Sequence, residues 1–473
     1  MKSKTPQKKL FGTDGIRNHA GEGWLATDKV ELIARVVGKA LHDTPHLLKA
    51  QEKPFPNLPA SSRNFGDRPT VILGRDTRTS GPEIQRALAE GFRLQGVDVV
   101  DIGVAPTPAV ALLAALWKCS MAAVISASHN PPEHNGIKFL TQNGFKIPDD
   151  AEIELEKKIL AEETPPSGEK GRLSRVDDYA REYAAAVSRN CMGDVALDGM
   201  KVLLDCANGA TQALAPQVFE NLGAQVVALN CLSDGALINK NCGSLHAEDI
   251  CERVVSEGAD VGISFDGDGD RAIFIDEKGK VRDGDYTLAI CAAHMKEQKR
   301  LPGNVVVGTV MANLGLERAL GELGVELIRT AVGDRYVSEK MVEGGYSLGG
   351  EQSGHIIFGE HSNTGDGIIT ALNVLKIMRV TKRTLSDLSS LMRKYPQVLV
   401  NVPVRERKPL GEIAPLREIV RRIETDLADR TRLVLRYSGT EPLARIMLEG
   451  VDQTEIEMLA HKMADIIRNE VGK

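Results

Sequence analysis

Three segments of the chain repeat one pattern: an apolar strand, a polar or glycine-bearing turn, an amphipathic helix and a second strand. They are VILGRDTRTSGPEIQRALAEGFRLQGVDVVDIG from Val71, VLLDCANGATQALAPQVFENLGAQVVALN from Val202 and VVVGTVMANLGLERALGELGVELIRT from Val305. Each helix closes on a glycine (Gly96, Gly223, Gly324) before a valine-bearing strand. Glycine suits the left-handed position just past a helix, where a Cβ is penalised. Strands alternating with helices build βαβ units and mostly parallel sheets. The three units open successive blocks of ~100–130 residues, the usual size of a domain. At 473 residues the chain exceeds a single core, and length alone predicts about three or four domains.

Linkers divide these blocks. EETPPSGEKGR (Glu162 to Arg172) is rich in Pro, Gly and charge, KGKVRDGDY around Lys280 marks a second boundary, and MRKYPQ (Met392 to Gln397) a third. The expected domains are therefore residues 1–168, 169–280, 281–390 and 391–473. The last block differs from the repeats. Its strands VLVNVPV, RLVLRYSG and ARIMLEG come with helices at LREIVRRIETDLA and TEIEMLAHKMADIIRNEV. The expected fold is thus α/β, with three related α/β domains of mixed or parallel sheets followed by an α+β domain. Pro45 to Pro69 is proline-rich without periodicity and reads as a surface excursion before the first core strand.

Composition narrows the function. A formal charge of -6 and a pI near 6.0 give no reason to expect nucleic acid, while leaving room for a local basic pocket. No apolar run reaches the ~18 residues of a membrane span. The N-terminal MKSKTPQKKLFGTDGIRN lacks the apolar core of a signal peptide. Seven cysteines, from Cys119 to Cys291, show neither a CxxC pair nor zinc spacing, which fits a reducing compartment. A cytoplasmic protein without membrane or nucleic-acid partners is expected.

Four polar loops carry the chemistry. In AAVISASHNPPEHNGIKF (Ala122 to Phe139), a buried strand ends in two serines, a histidine, an asparagine and two prolines. These residues favour turns, and a serine presented at a strand end is also a candidate nucleophile. VGISFDGDGDRAIFID sets Asp266, Asp268 and Asp270 at alternate positions between apolar strands, with Gly267 and Gly269 letting the backbone curl. Three hard oxygen ligands suit Mg²⁺. An EF-hand is excluded, because its obligatory glycine position holds Arg271 and a strand follows. Arg271 can stabilise charge on a transferring phosphoryl group or pair with an aspartate. LGGEQSGHIIF places Glu351, Ser353 and His355 at alternate positions, suited to sugar hydroxyls and to binding phosphate or moving a proton. RYSGTEPLARIM offers Ser438, Gly439 and Thr440 in a tight loop flanked by Arg436 and Arg445, a cradle for phosphate or an ordinary hairpin turn. Arg17, in FGTDGIRN, reaches either a phosphate or an internal salt bridge. Lys138 faces away from Ile137 and Phe139, either into solvent or towards the loop, where a lowered pKa would make it a general base.

ISASHNP, DGDGDR, GEQSGH and RYSGTEP occur in this order, one per inferred domain. The set resembles the α-D-phosphohexomutase superfamily, and FGTDGIR with GEQSGH resembles its phosphoglucosamine mutase branch. The resemblance covers nearly the whole chain. It implies four domains that each supply one loop to a central cleft. It implies that Ser128, rather than Ser126, is the phosphoserine, and that Asp266, Asp268 and Asp270 bind one Mg²⁺ with that phosphoserine. Glu351 and Ser353 would contact sugar hydroxyls. Arg436, Ser438, Gly439, Thr440 and Arg445 would hold the phosphate not being transferred. Arg17 and Lys138 would lie near the reacting oxygen, with Lys138 a proton-transfer candidate, Arg271 would offset charge on the transferring oxygens, and His355 would complete the catalytic set.

The implied reaction interconverts glucosamine 6-phosphate and glucosamine 1-phosphate through a sugar 1,6-bisphosphate, which also acts as activator, on the route to UDP-N-acetylglucosamine. The alternative is a phosphomannomutase or phosphoglucomutase, against which Gln352 argues, since those relatives more often carry methionine there. A non-catalytic sugar-phosphate-binding protein is a remote alternative, as Ser128 and all three aspartates are present. Two departures stand out: Asn18 replaces the glycine usual after GIR, and the Pro45–Pro69 excursion is long. The excursion bears on oligomer contacts, where a homodimer is the expected assembly.

Overall fold

The computed structural model describes residues 10–12, 14–48, 56, 58, 61, 63, 65–427, 430–438 and 442–472. The three valine-rich segments open as the buried strands Thr70–Arg75, Lys201–Asp205 and Val305–Thr309. Near-continuous apolar runs of this kind fit strands covered on both faces. Each runs through a helix (Gly81–Leu94, Leu214–Asn221 or Leu314–Glu322) into a parallel neighbour (Asp98–Val104, Gln225–Leu229 or Glu326–Thr330). Gly96, Gly223 and Gly324 adopt φ of 75°, 91° and 64°, the left-handed turn expected past each helix.

On its other side each opening strand pairs in parallel with a third (Met121–Ile125, Val261–Phe265, Leu348–Gly350). That third strand folds back on an antiparallel partner (His134–Thr141, Ala272–Asp276, Ile356–Phe358). The order returning–third–first–second is the same in the six-, five- and four-stranded sheets. Residues 126–133, 266–271 and 351–355 therefore occupy one topological position, the carboxyl end of the third strand. Open α/β sheets bind ligands beyond the carboxyl ends of their strands.

The first sheet also gains Ile16–His19, antiparallel to the returning strand, which brings the N-terminal motif to the same edge. The fourth sheet is wholly antiparallel, in the order Gln397–Pro403, Leu443–Gly450, Thr431–Tyr437.

Burial separates the first three domains from the fourth. One apolar cluster runs from Ile72 to Met392 through the buried helices Thr107–Leu116, Gly284–Glu297 and Gly367–Thr381. The fourth domain has its own core, including Leu416, Ile446 and Met463. A polar junction links it to the third: Asn313 Nδ2 donates to Glu449 Oε1 (3.2 Å) and to the Tyr395 carbonyl (3.0 Å). Arg432 Nε donates to Glu449 Oε2 at 2.7 Å.

The described part of the Pro45–Pro69 excursion packs rather than projecting. The Arg63 guanidinium stacks 5.1 Å from the Trp117 ring and pairs with Asp178 and Glu182. Among the described residues, no helix is long and apolar enough to cross a membrane.

Candidate active site

Ser128 lies in the first of the three equivalent loops, buried, with φ of 52°. A left-handed backbone costs a non-glycine residue roughly 1–2 kcal/mol, so surrounding bonds must hold it. Its N–H donates to Ser126 Oγ (2.8 Å), which itself donates to Asp76 Oδ2 (2.6 Å). Ser126 is thus a brace, and Ser128 is the serine that faces the second domain. Its Oγ donates to Asp266 Oδ2 at 2.7 Å and lies 3.2 Å from His129 Nδ1.

Asp266, Asp268 and Asp270 are buried, with ligand oxygens within 4.8 Å of one another. They converge through a tight turn with Gly269 at φ 73°, not through strand alternation. Gly267 must lack a side chain, since a Cβ there would meet the Ser128 carbonyl oxygen at 2.7 Å. Thr107 Oγ1 donates to Asp268 Oδ2 (2.7 Å), whereas Asp268 Oδ1 is buried without a hydrogen-bond partner. Burial, reinforced by Asp270 and Asp268, raises the Asp266 carboxyl well above the usual range. For Asp270 burial acts upward too, but His355 and Lys138 bring it below that range. Three buried carboxylates whose oxygens converge, with Asp268 Oδ1 lacking a hydrogen-bond partner, fit a hard divalent cation such as Mg²⁺.

Lys138 overturns one expectation. Its Nζ lies 2.8 Å from Asp268 Oδ2 and 2.9 Å from Asp14 Oδ2, with Asp270 Oδ2 at 3.7 Å. Burial alone would lower its pKa, but these carboxylates outweigh burial and raise it. Lys138 is a held cation rather than a depressed base, because most of its charged neighbours are acids.

Asp14, which sequence reasoning passed over inside FGTDGIR, organises this wall. It pairs with Arg17, Lys138 and Lys146 (2.7 Å), and Lys146 reaches across to Asp334 of the third domain at 2.6 Å. Arg17 thereby makes its internal salt bridge while still lining the cleft, and Arg271 Nε lies 3.7 Å from Asp270 Oδ1.

In the third loop Glu351 Oε1 accepts the Gly333 N–H at 3.1 Å, and Ser353 Oγ is buried without a partner. In its neutral form His355 Nε2 accepts the Gly365 N–H (3.2 Å), with Asp270 Oδ1 3.5 Å from Nδ1. Burial disfavours charge on this imidazole, but Asp270, Asp334 and Glu351 raise its pKa to about 9. His129 is the reverse: burial, Arg271 and Arg17 lower it to about 4. Gln352 Nε2 donates to buried Asp285 Oδ2 at 3.1 Å, which ties its amide to the core of the third domain.

These groups bound a cleft of about 430 Å³ lined by Arg17, His129, Asp270, Arg271, Glu351 and His355, among others. A second cavity of about 520 Å³ adjoins it, sharing Asp334 and His355. Arg436, Ser438 and Arg445 sit apart on the fourth domain. Arg436 and Arg445 are direct cross-strand partners, and Arg407 Nη2 donates to the Ser438 carbonyl at 2.8 Å. Gly439 and Thr440 lie outside the described residues.

A site of this composition, spread over equivalent loops of repeated domains, matches known proteins along the whole chain. The family models for phosphoglucomutase/phosphomannomutase match in order: alpha/beta/alpha domain I over residues 58–166, domain II over 178–279, domain III over 283–395 and the C-terminal domain over 399–466. The chain belongs to this phosphohexomutase family of isomerases. Within the family it falls among relatives named phosphoglucosamine mutase. That of Syntrophotalea carbinolica is 44% identical over 470 residues, 98% of each chain. That of Bdellovibrio bacteriovorus is 42% identical over 476 residues, covering both chains fully.

Solved structures share the fold. A phosphoglucomutase/phosphomannomutase family protein from Burkholderia thailandensis superposes with a TM-score of 0.77 at 24% identity, covering 98% of this chain and 99% of that one. An N-acetylphosphoglucosamine mutase from Aspergillus fumigatus, solved with GlcNAc-6P and magnesium, gives 0.60 at 16% identity, covering 98% and 96%.

Proposed function

We propose that this chain interconverts glucosamine 6-phosphate and glucosamine 1-phosphate, with Ser128 carrying the phosphoryl group. The observation that carries the reading is Ser128 Oγ, 2.7 Å from Asp266 within a buried cluster of three carboxylates. The glucosamine substrate is supported by the full-length relatives named phosphoglucosamine mutase. Our reading keeps the four domains at 1–168, 169–280, 281–390 and 391–473.

Asp266, Asp268 and Asp270, with Ser128, would hold one Mg²⁺, which when bound supplies positive charge beside the transferring phosphoryl oxygens. In one half-reaction the phosphoryl group leaves phosphorylated Ser128 for the free 1- or 6-hydroxyl of the sugar monophosphate. The P–Oγ bond breaks, a P–O bond to the sugar forms, the sugar hydroxyl gives its proton to a cleft residue, and Ser128 Oγ takes up a proton to return to the hydroxyl. The bisphosphate turns around, and Ser128 takes the other phosphoryl group while the departing sugar oxygen gains a proton. His355 is the acid beside that oxygen, and by reversibility it takes the proton in the opposite direction, while Lys138 stays a fixed cation. Arg17 and Arg271 place fixed charge along the path. Glu351 and Ser353 orient the sugar hydroxyls. Arg436, Ser438, Gly439, Thr440 and Arg445 hold the phosphate at rest, which must be gripped in both orientations.

The test is kcat/KM for glucosamine 1-phosphate, glucose 1-phosphate and mannose 1-phosphate, with Mg²⁺ and a trace of the matching bisphosphate. Ser128→Ala serves as blank. Preference for the amino sugar with a dead Ser128→Ala is the expected result. Equal or better use of glucose or mannose phosphate overturns the substrate, and an active Ser128→Ala overturns the mechanism.

A further inference from the structure

Two carbonyl oxygens of the Ser128 loop each accept hydrogen bonds from two different domains. Arg78 Nη2 donates to Ser128 O (3.0 Å) and Asn130 O (2.8 Å) from within the first domain. Asn239 Nδ2 donates to the same pair, Ser128 O at 2.8 Å and Asn130 O at 3.0 Å, from the second. Arg78 is wholly buried and also serves the His134 and Pro131 carbonyls, so it fixes the loop within its own domain. Asn239 has no such local duty.

Its surroundings instead tie it to the carboxylate loop. The Asn239 N–H donates to the Ala207 carbonyl (2.9 Å), and in the same loop the Ala210 N–H donates to the Gly267 carbonyl (2.8 Å). Gly267 makes room for the amide, since a Cβ there would meet Asn239 Nδ2 at 2.8 Å. Asn239 itself has φ of 57°, a conformation that asparagine tolerates better than most side chains.

We propose that Asn239 is a positioning residue that clamps the left-handed backbone of Ser128 to the second domain, keeping the Ser128 hydroxyl in register with Asp266, Asp268 and Asp270. Its amide bonds the Ser128 carbonyl rather than the hydroxyl, so it acts through the backbone that carries the nucleophile. Displacing a reacting atom by about 1 Å is enough to cost about a hundredfold in rate. The inference rests on the reading of Ser128 as phosphoryl carrier.

Asn239→Asp and Asn239→Gly test it on the full chain. Both tolerate positive φ, and neither supplies the two N–H bonds; the aspartate also turns an oxygen towards two carbonyl oxygens. Kinetics with glucosamine 1-phosphate, Mg²⁺ and trace bisphosphate are compared with the thermal midpoint of each variant. The expected result for both is kcat lowered about a hundredfold with KM within about twofold. The midpoint should stay within a few degrees.

A kcat within about threefold of the parent in folded Asn239→Gly overturns the proposal. So does a loss that merely follows the fraction of unfolded protein. If Asn239→Asp fails to fold, Asn239→Gly alone decides. Ser128→Ala separates the two levels. If it is active, the reading of Ser128 falls; if it is dead while Asn239→Gly is fully active, only the clamp falls.

Discussion

Lys138 bridges two domains: its Nζ stands 2.8 Å from Asp268 of the carboxylate loop and 2.9 Å from Asp14 of the N-terminal motif. Removing one partner from a buried ion pair costs about 3–5 kcal/mol, because the charges left behind stay desolvated. Lys138→Met is therefore expected to lose stability of that order in urea unfolding, and most of its activity. Lys138→Arg should recover more of the stability than of the activity. Because the folded pKa is raised above the unfolded value, the stabilisation is complete below that value and fades only as pH rises beyond it. Lys138 should accordingly add no inflection to kcat between about pH 7 and 10.

The cation reading has its own test. Asp268 Oδ1 is buried without a hydrogen-bond partner, and burial with the neighbouring Asp270 and Asp268 raises the Asp266 carboxyl, so the cluster has room for a cation among its oxygens. A ligand that binds only the folded state stabilises it by mass action, about 2.7 kcal/mol at a hundredfold excess over Kd. Mg²⁺ is expected to raise the thermal midpoint of the parent, and EDTA to abolish turnover reversibly. Asp268→Asn should remove most of the midpoint shift. A shift of equal size in that variant would place the ion elsewhere.

The sequence made some of this legible and hid the rest, for physical reasons. Apolar runs and helix-closing glycines revealed the three α/β units, because burial and positive φ leave local marks at Val71, Val202, Val305 and their glycines. The chemical loops were visible as polar residues stranded between apolar strands. The shape of those loops was not. Asp266 to Asp270 and Glu351 to His355 are turns rather than extended segments, and the spacing of side chains looks alike in both. Long-range partners were also invisible. The acids around Lys138 come from positions 14, 268 and 270, and the amide on Ser128 O comes from position 239. Nothing local marks such pairs, so the sign of the Lys138 shift was missed.

His361 gives a pH effect remote from the carboxylate cluster. It is 5% exposed, and burial lowers its pKa from 6.5 to about 4. The folded state thus binds this proton more weakly than the unfolded state. Its contribution to stability is complete above about pH 6.5 and is lost as pH falls from there to about 4, below which both states are protonated. A shift of that size corresponds to about 3 kcal/mol. His361→Gln removes the titrating group, so the stability difference between pH 7 and pH 4.5 should be smaller in the variant by about that amount. Equal acid sensitivity in parent and variant would show that His361 takes up its proton without strain.

Arg436 and Arg445 face each other directly across antiparallel strands of the fourth domain. Like charges in that position are destabilising, so the pairing is understandable where an anion offsets it. The adjoining Ser438 is buried, with its N–H bonded to the Leu443 carbonyl and its own carbonyl to Arg407, which fixes the start of the loop. A hydrogen bond to a charged group contributes about 1.5–3 kcal/mol. On the proposed reading, in which Arg445 holds the phosphate that is not transferred, Arg445→Ala should raise KM for glucosamine 1-phosphate about ten- to a hundredfold, with a smaller fall in kcat. In the absence of substrate, inorganic phosphate should raise the thermal midpoint of the parent, whereas the variant should respond less. A kcat loss with unchanged KM would instead assign Arg445 to the transferring group, and the fourth domain would then reach the reacting phosphate itself.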